Sequence, residues 1–135
     1  MKIELSQKEF RRLLDLVYIG NWILNSVRAG DRFADYDIVQ EKIFSYCRER
    51  GMGTLISECF GHTLPSKAFE DGGIHEAIAD YEDAVFFDIL AEELARRDMS
   101  EEYVNNDDPE ELASRIEEYI SEFEKNGVEN ISLDI

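Results

Sequence analysis

The chain has 135 residues, 44% hydrophobic and 33% charged, with a net charge of −17 at pH 7. That length supports one core without metal or disulfide staples, and no apolar run is long enough to span a bilayer. The acid excess is lopsided: residues 1–66 hold nine bases and nine acids, residues 67–135 five and twenty-two. A field of that sign repels phosphates and anionic lipids and attracts basic proteins, so direct nucleic-acid and membrane binding are disfavoured. The start, MKIELSQKEF, lacks the apolar run of a signal peptide, and Cys47 and Cys59 fit a reducing compartment. A cytoplasmic location is the expectation.

Lys2 to Leu5 alternates polar and apolar residues, which suits a short strand. Ser6 with Glu9 three residues on is a capping box, and Leu5 with Phe10 a hydrophobic staple, so a first helix starts there. Its stripe of Phe10, Leu13, Leu14, Val17 and Leu24 is interrupted by Gly20, which marks a close helix crossing, and by Asn21, a buried hydrogen-bonding residue or part of a pocket. A second helix is expected from about Tyr36 to Arg50 with Val39, Ile43, Tyr46 and Cys47 inward, ended by Gly51. Thr54 to Phe60 reads as a short helix stopped by Gly61. His62 to Gly73 has no clean period and is the longest loop, and so the place to look for a site.

Ile74 to Arg97 is the longest helical pattern, with an apolar face that changes sides halfway and is nearly all-round between Ala84 and Ala91. It is the expected central helix. After a turn-rich connection, Asp108 as N-cap, Pro109 at the first helical position and Glu111 announce a last helix. Its stripe of Leu112, Ile116, Tyr119, Ile120 and Phe123 runs to Gly127, and its other face is acidic. Ile131, Leu133 and Ile135 alternate as a second strand. The expected fold is therefore mainly α: a single-domain helical bundle, residues 1–135, around the helix at about 74–97. Short N- and C-terminal strands form a small two-stranded sheet or pair across a homodimer.

Three functional readings follow. In the first, a non-enzymatic interaction protein docks a basic partner, as an inhibitor or immunity-like protein or a nucleic-acid mimic. Glu110, Glu117, Glu118 and Glu124 supply the field, and Phe69 and Tyr103 the buried contacts. In the second, Cys47, Cys59, His62 and His75, a full tetrahedral donor set within one 29-residue window, hold zinc in a metal-binding protein or metal-dependent enzyme. Cys59 and His62 have the spacing of a ligand pair, but the remaining spacings match no familiar zinc module. The third is the structural homodimer through its terminal strands. Phosphate-loop, nucleophile-elbow, di-iron Glu-x-x-His and calcium-loop patterns are missing from the sequence, so the enzyme readings have little to stand on.

Overall fold

The Ser6 hydroxyl accepts from the Glu9 backbone N–H at 3.1 Å, and the Glu9 carboxylate accepts from the Ser6 N–H at 2.7 Å. In the computed structural model, which describes residues 1–102 and 108–135, this reciprocal pair opens helix α1 (Gln7–Asn25). Ser6→Ala is expected to lower stability by about 1 kcal/mol in a denaturant melt. An unchanged midpoint would mean that the helix start is held by other contacts.

Helix α1 buries one line of side chains, Phe10, Leu14, Tyr18, Asn21 and Asn25. The apolar part of that line packs with Phe44, Cys47, Phe69, Ile74 and Ile78 into one core. The polar part organises the chain reversal after α1. Asn25, 1% exposed, donates from Nδ2 to the Phe33 carbonyl and accepts the Phe33 N–H. It also donates to Asn21 Oδ1 at 2.6 Å, while Asn21 Nδ2 donates to Asp37 and Gln40. Asn21 is thus a buried hydrogen-bonding residue that also borders a cleft, which accounts for a polar residue on an inward face.

Helix α2 (Ala34–Phe44) is shorter than its sequence period suggests, because the chain tightens into a 3-10 turn at Ser45–Cys47. Its inward line is Asp37, Gln40, Phe44 and Cys47, polar where it meets Asn21 and apolar where it enters the core. Val39 and Tyr46, expected inside, are 53% and 47% exposed. Phe44, at 0%, takes that place.

The expected helix at Thr54 to Phe60 is instead a 3-10 turn (Gly53–Leu55) leading into β1 (Ile56–Cys59). Strand β1 pairs antiparallel with β2 (His62–Pro65), with Ile56 opposite Pro65 and Cys59 opposite His62. Phe60 and Gly61 form the two-residue turn at φ 50° and 80°, the double left-handed geometry that tight hairpins prefer. Glycine adopts it freely, whereas Phe60 does so at a steric cost and projects fully exposed from the tip. Among the described residues this is the only sheet. The expected terminal strands do not form: the first six residues and the last five lie outside any strand, with Ile3 65% and Leu133 79% exposed. Alternation alone, without a partner edge, does not make a strand.

The stretch from His62 to Gly73 is consequently no long loop. It contains β2, the single turn α3 (Lys67–Phe69) capped by the Ser66 hydroxyl, and a tight segment (Glu70–Ile74). Gly73 at φ 110° breaks the helical path inside that segment, and helix α4 (His75–Glu101) follows it. The fold is mainly helical with one small antiparallel hairpin, and no described helix is long and apolar enough to cross a membrane.

The chain divides into two compact units, Met1–Ile78 and Ala79–Ile135. In the first, the core is built on α1, and the expected central helix contributes Ile78. In the second, α4 buries Ala91, Ala95 and Met99. Its all-round apolar stretch is not covered all round: Phe86 is 51% and Ile89 60% exposed. Helix α5 (Pro109–Asn126) starts as its sequence indicates, with the Asp108 carboxylate accepting from the N–H groups of Glu110 and Glu111. Its Phe123, buried, lies 5.3 Å from the ring of Phe87 on α4.

Candidate functional site

The four residues expected to hold zinc are not brought together. Cys47 is fully buried in the core, where desolvation pushes its thiol up against the opposing charge of Arg11. Cys59 is exposed on β1. His62 sits opposite Cys59 in the hairpin register but bonds through Nδ1 to the Glu41 carboxylate at 3.1 Å. That carboxylate also accepts the Thr63 N–H at 2.9 Å, so Glu41 ties α2 to the hairpin. The Thr63 and His62 hydrogen bonds hold it below its ordinary pKa. His75 Nε2 and the Tyr18 hydroxyl are hydrogen-bonded at 2.7 Å, with Trp22 edge-on to the same imidazole. Among the described residues no three His, Cys, Asp or Glu gather as a metal would need. A Cys-x-x-His spacing brings its ends together on a helical turn. Here a hairpin replaces that turn, and Glu41 has already engaged the imidazole.

Of the residues expected to contact a partner, Phe69 is misassigned. It is 0% exposed, edge-on at 5.1 Å to both Tyr18 and Phe44, with the Arg11 guanidinium over its ring. Tyr103 lies outside the described residues. Glu110, Glu117, Glu118 and Glu124 are all exposed on α5. At 100° per residue, Glu110, Glu117 and Glu124 form one outer line, and Glu118 belongs to a different one.

That other line is the more informative. Glu111, Arg115, Glu118 and Glu122 recur at four, three and four residues on α5, which puts them on one face. With Asp98 and Glu102 at the end of α4, and Ser114 and Tyr119, they line a groove of about 490 Å³. Five carboxylates face one guanidinium. Arg115 is already paired, donating to Glu102 at 2.6 Å and Glu111 at 2.7 Å. Glu102 is held below its ordinary pKa chiefly by the Arg115 hydrogen bond, and Glu122 by hydrogen bonds from Asn130 and Asn126. Burial pushes Asp98 up, but hydrogen bonds from Tyr119 and Arg97 and the charges of Arg97 and Arg115 outweigh it and hold the carboxyl down. Desolvation and the Asp98 hydrogen bond raise Tyr119, so at neutral pH Tyr119 is a protonated donor. Asp98, Glu102 and Glu122 are thus each held in the carboxylate form by named partners.

From Glu111 to Glu122 the wall runs about 16 Å along the helix. The acids are spread along it rather than gathered on one point. This arrangement suits an elongated cationic segment rather than an ion. The Ala79–Ile135 unit as a whole has nineteen acids against four bases, a net −15. Three of those bases, Arg96, Arg97 and Arg115, are engaged in ion pairs within it.

Fold and groove together define a mainly α protein with a carboxylate-walled groove on its acidic unit. Compared with known proteins, the chain matches no family model, no curated protein and no solved structure.

Asp98 provides a pH test of this geometry. A carboxyl with a depressed folded pKa contributes stability that is present above its unfolded pKa and lost as pH falls through the folded value. Tyr119→Phe removes one of the bonds that depress it. The Asp98 titration midpoint, followed by carboxyl-carbon NMR, should move up toward the usual carboxylate range, and acid unfolding should begin at higher pH. An unmoved midpoint would assign the depression to Arg97 and Arg115 alone.

Proposed function

We propose that this chain is a non-enzymatic interaction protein whose acidic unit receives a basic segment of a partner protein in the α4–α5 groove. The observation that carries the reading is the groove itself: five acidic side chains against one guanidinium, in a unit of net charge −15. Such a field concentrates a cationic partner and speeds its association, and the walls then fix its register by charge-assisted hydrogen bonds. The outer acids Glu110, Glu117 and Glu124 add to the steering without touching the groove. An inhibitor or immunity-type protein for a basic toxin or nuclease is one concrete version, and a nucleic-acid mimic is another. Both use the same surface. A cytoplasmic location fits this role and is supported by two cysteines that stand as free thiols.

The test uses two charge-neutralised variants and one basic ligand, an oligo-arginine peptide. Glu111→Gln, Glu118→Gln and Glu122→Gln together should abolish saturable binding. Glu110→Gln, Glu117→Gln and Glu124→Gln together should slow association and leave the dissociation rate nearly unchanged. Equal effects of the two sets would reduce the interaction to bulk charge and remove the role assigned to the groove.

A further inference from the structure

Helix α1 carries a second apolar face that the core uses only at one edge, through the partly buried Leu13. Leu13, Leu16, Gly20, Ile23 and, in the turn that follows, Val27 recur at alternating three- and four-residue intervals, the spacing of a helix–helix seam. On the helix wheel they lie well away from the buried line of Phe10, Leu14, Tyr18, Asn21 and Asn25. They stay at the surface: Leu16 is 68%, Ile23 52% and Val27 89% exposed. Gly20 is the midpoint of this seam. A side chain built on Gly20 would meet nothing within 4 Å, so the close helix crossing that a helix-interior glycine implies is not made inside the chain. Glycine weakens a helix interior, and nothing within the described contacts requires it there.

We infer that this face packs against the same face of a second copy of the chain, antiparallel, with the two Gly20 residues at the crossing. A two-fold interface must be self-complementary, and the seam is. Reversed about Gly20, Leu13 falls opposite Val27, Leu16 opposite Leu24, and Val17 opposite Ile23. The shape agrees with the spacing. A shallow groove lined by Leu5, Lys8, Glu9, Arg12, Leu13 and Leu16 lies at one end of the seam, where the protruding Val27 of the second copy arrives. Charge favours a contact made by the first unit. Met1–Ile78 holds ten bases and twelve acids, a net −2, against −15 for Ala79–Ile135, so two copies meet without strong repulsion only through the first unit. This pairing is independent of the groove on the acidic unit.

Sedimentation velocity over a dilution series tests it. The wild-type chain should be a reversible dimer. Leu16→Glu with Ile23→Glu, both at exposed positions, should weaken it about tenfold or more while leaving far-UV circular dichroism and Trp22 fluorescence melts intact. Gly20→Leu should also break the dimer, by bulk at the crossing, while raising the melting temperature of the monomer. A wild type that is monomeric at every accessible concentration overturns the inference. So does a dimer that survives both variants, as one paired through its terminal segments would.

Discussion

Phe69→Ala is expected to cost about 3–5 kcal/mol, a large part of the ~5–15 kcal/mol that stabilises a typical domain. Phe69 is fully buried between Tyr18 and Phe44, and Arg11 lies over its ring at 4.9 Å. Removing the ring empties the centre of the Met1–Ile78 core and takes away both edge-to-face contacts. Trp22, the single tryptophan, lies 6.0 Å from His75 in the same unit and reports its unfolding by fluorescence. The urea midpoint should fall sharply. Were Phe69 a partner contact, as its place in the sequence suggests, the same variant would leave stability untouched and act only on binding.

Neutralising Glu111, Glu118 and Glu122 to Gln is expected to have the largest effect on binding. The change removes three of the five groove carboxylates without altering side-chain size. At low ionic strength, charge steering raises association rates by about 10–10³-fold, so the variant should lose at least the lower end of that range. It should also lose the charge-assisted contacts that hold the bound segment, which shows as faster dissociation. Salt should act the same way on the wild type, since the Debye length falls to about 8 Å at physiological ionic strength. The fold should persist, because Glu118 is exposed, Glu111 is only half-buried, and Arg115 keeps its pair with Glu102. A variant that binds as tightly as the wild type would remove the groove from the account.

The parts of this fold that were legible in the sequence are those written in local backbone chemistry. Ser6 with Glu9, and Asp108 with Pro109, satisfy helix-start N–H groups wherever they occur, so α1 and α5 began where expected. The hairpin was not legible. Leu55, Ile56 and Cys59 coincide with a helical period, and the turn is Phe60-Gly61 rather than the Asn-Gly that usually announces it. Helix α2 misled for a different reason. Its inward line is polar at Asp37 and Gln40 because Asn21 waits there, and a reading that equates inward with apolar chooses Val39 and Tyr46. Half of the groove could have been found from the four-three-four recurrence of Glu111, Arg115, Glu118 and Glu122. The other half could not. Asp98 and Glu102 join it only because α4 continues past Arg97 to Glu101, over residues whose composition reads as a turn.

Occupation of the α4–α5 groove by a basic segment can be read from an NMR titration of the isotope-labelled 135-residue chain with an oligo-arginine peptide. Saturable shifts with one-to-one stoichiometry, concentrated on Asp98, Glu102 and the Glu111 to Glu122 face of α5 and missing from the outer line at Glu110, Glu117 and Glu124, are expected. Weak shifts that never saturate and spread evenly over every acidic side chain would contradict it, and would reduce the −17 charge to a solvated surface without a docking site.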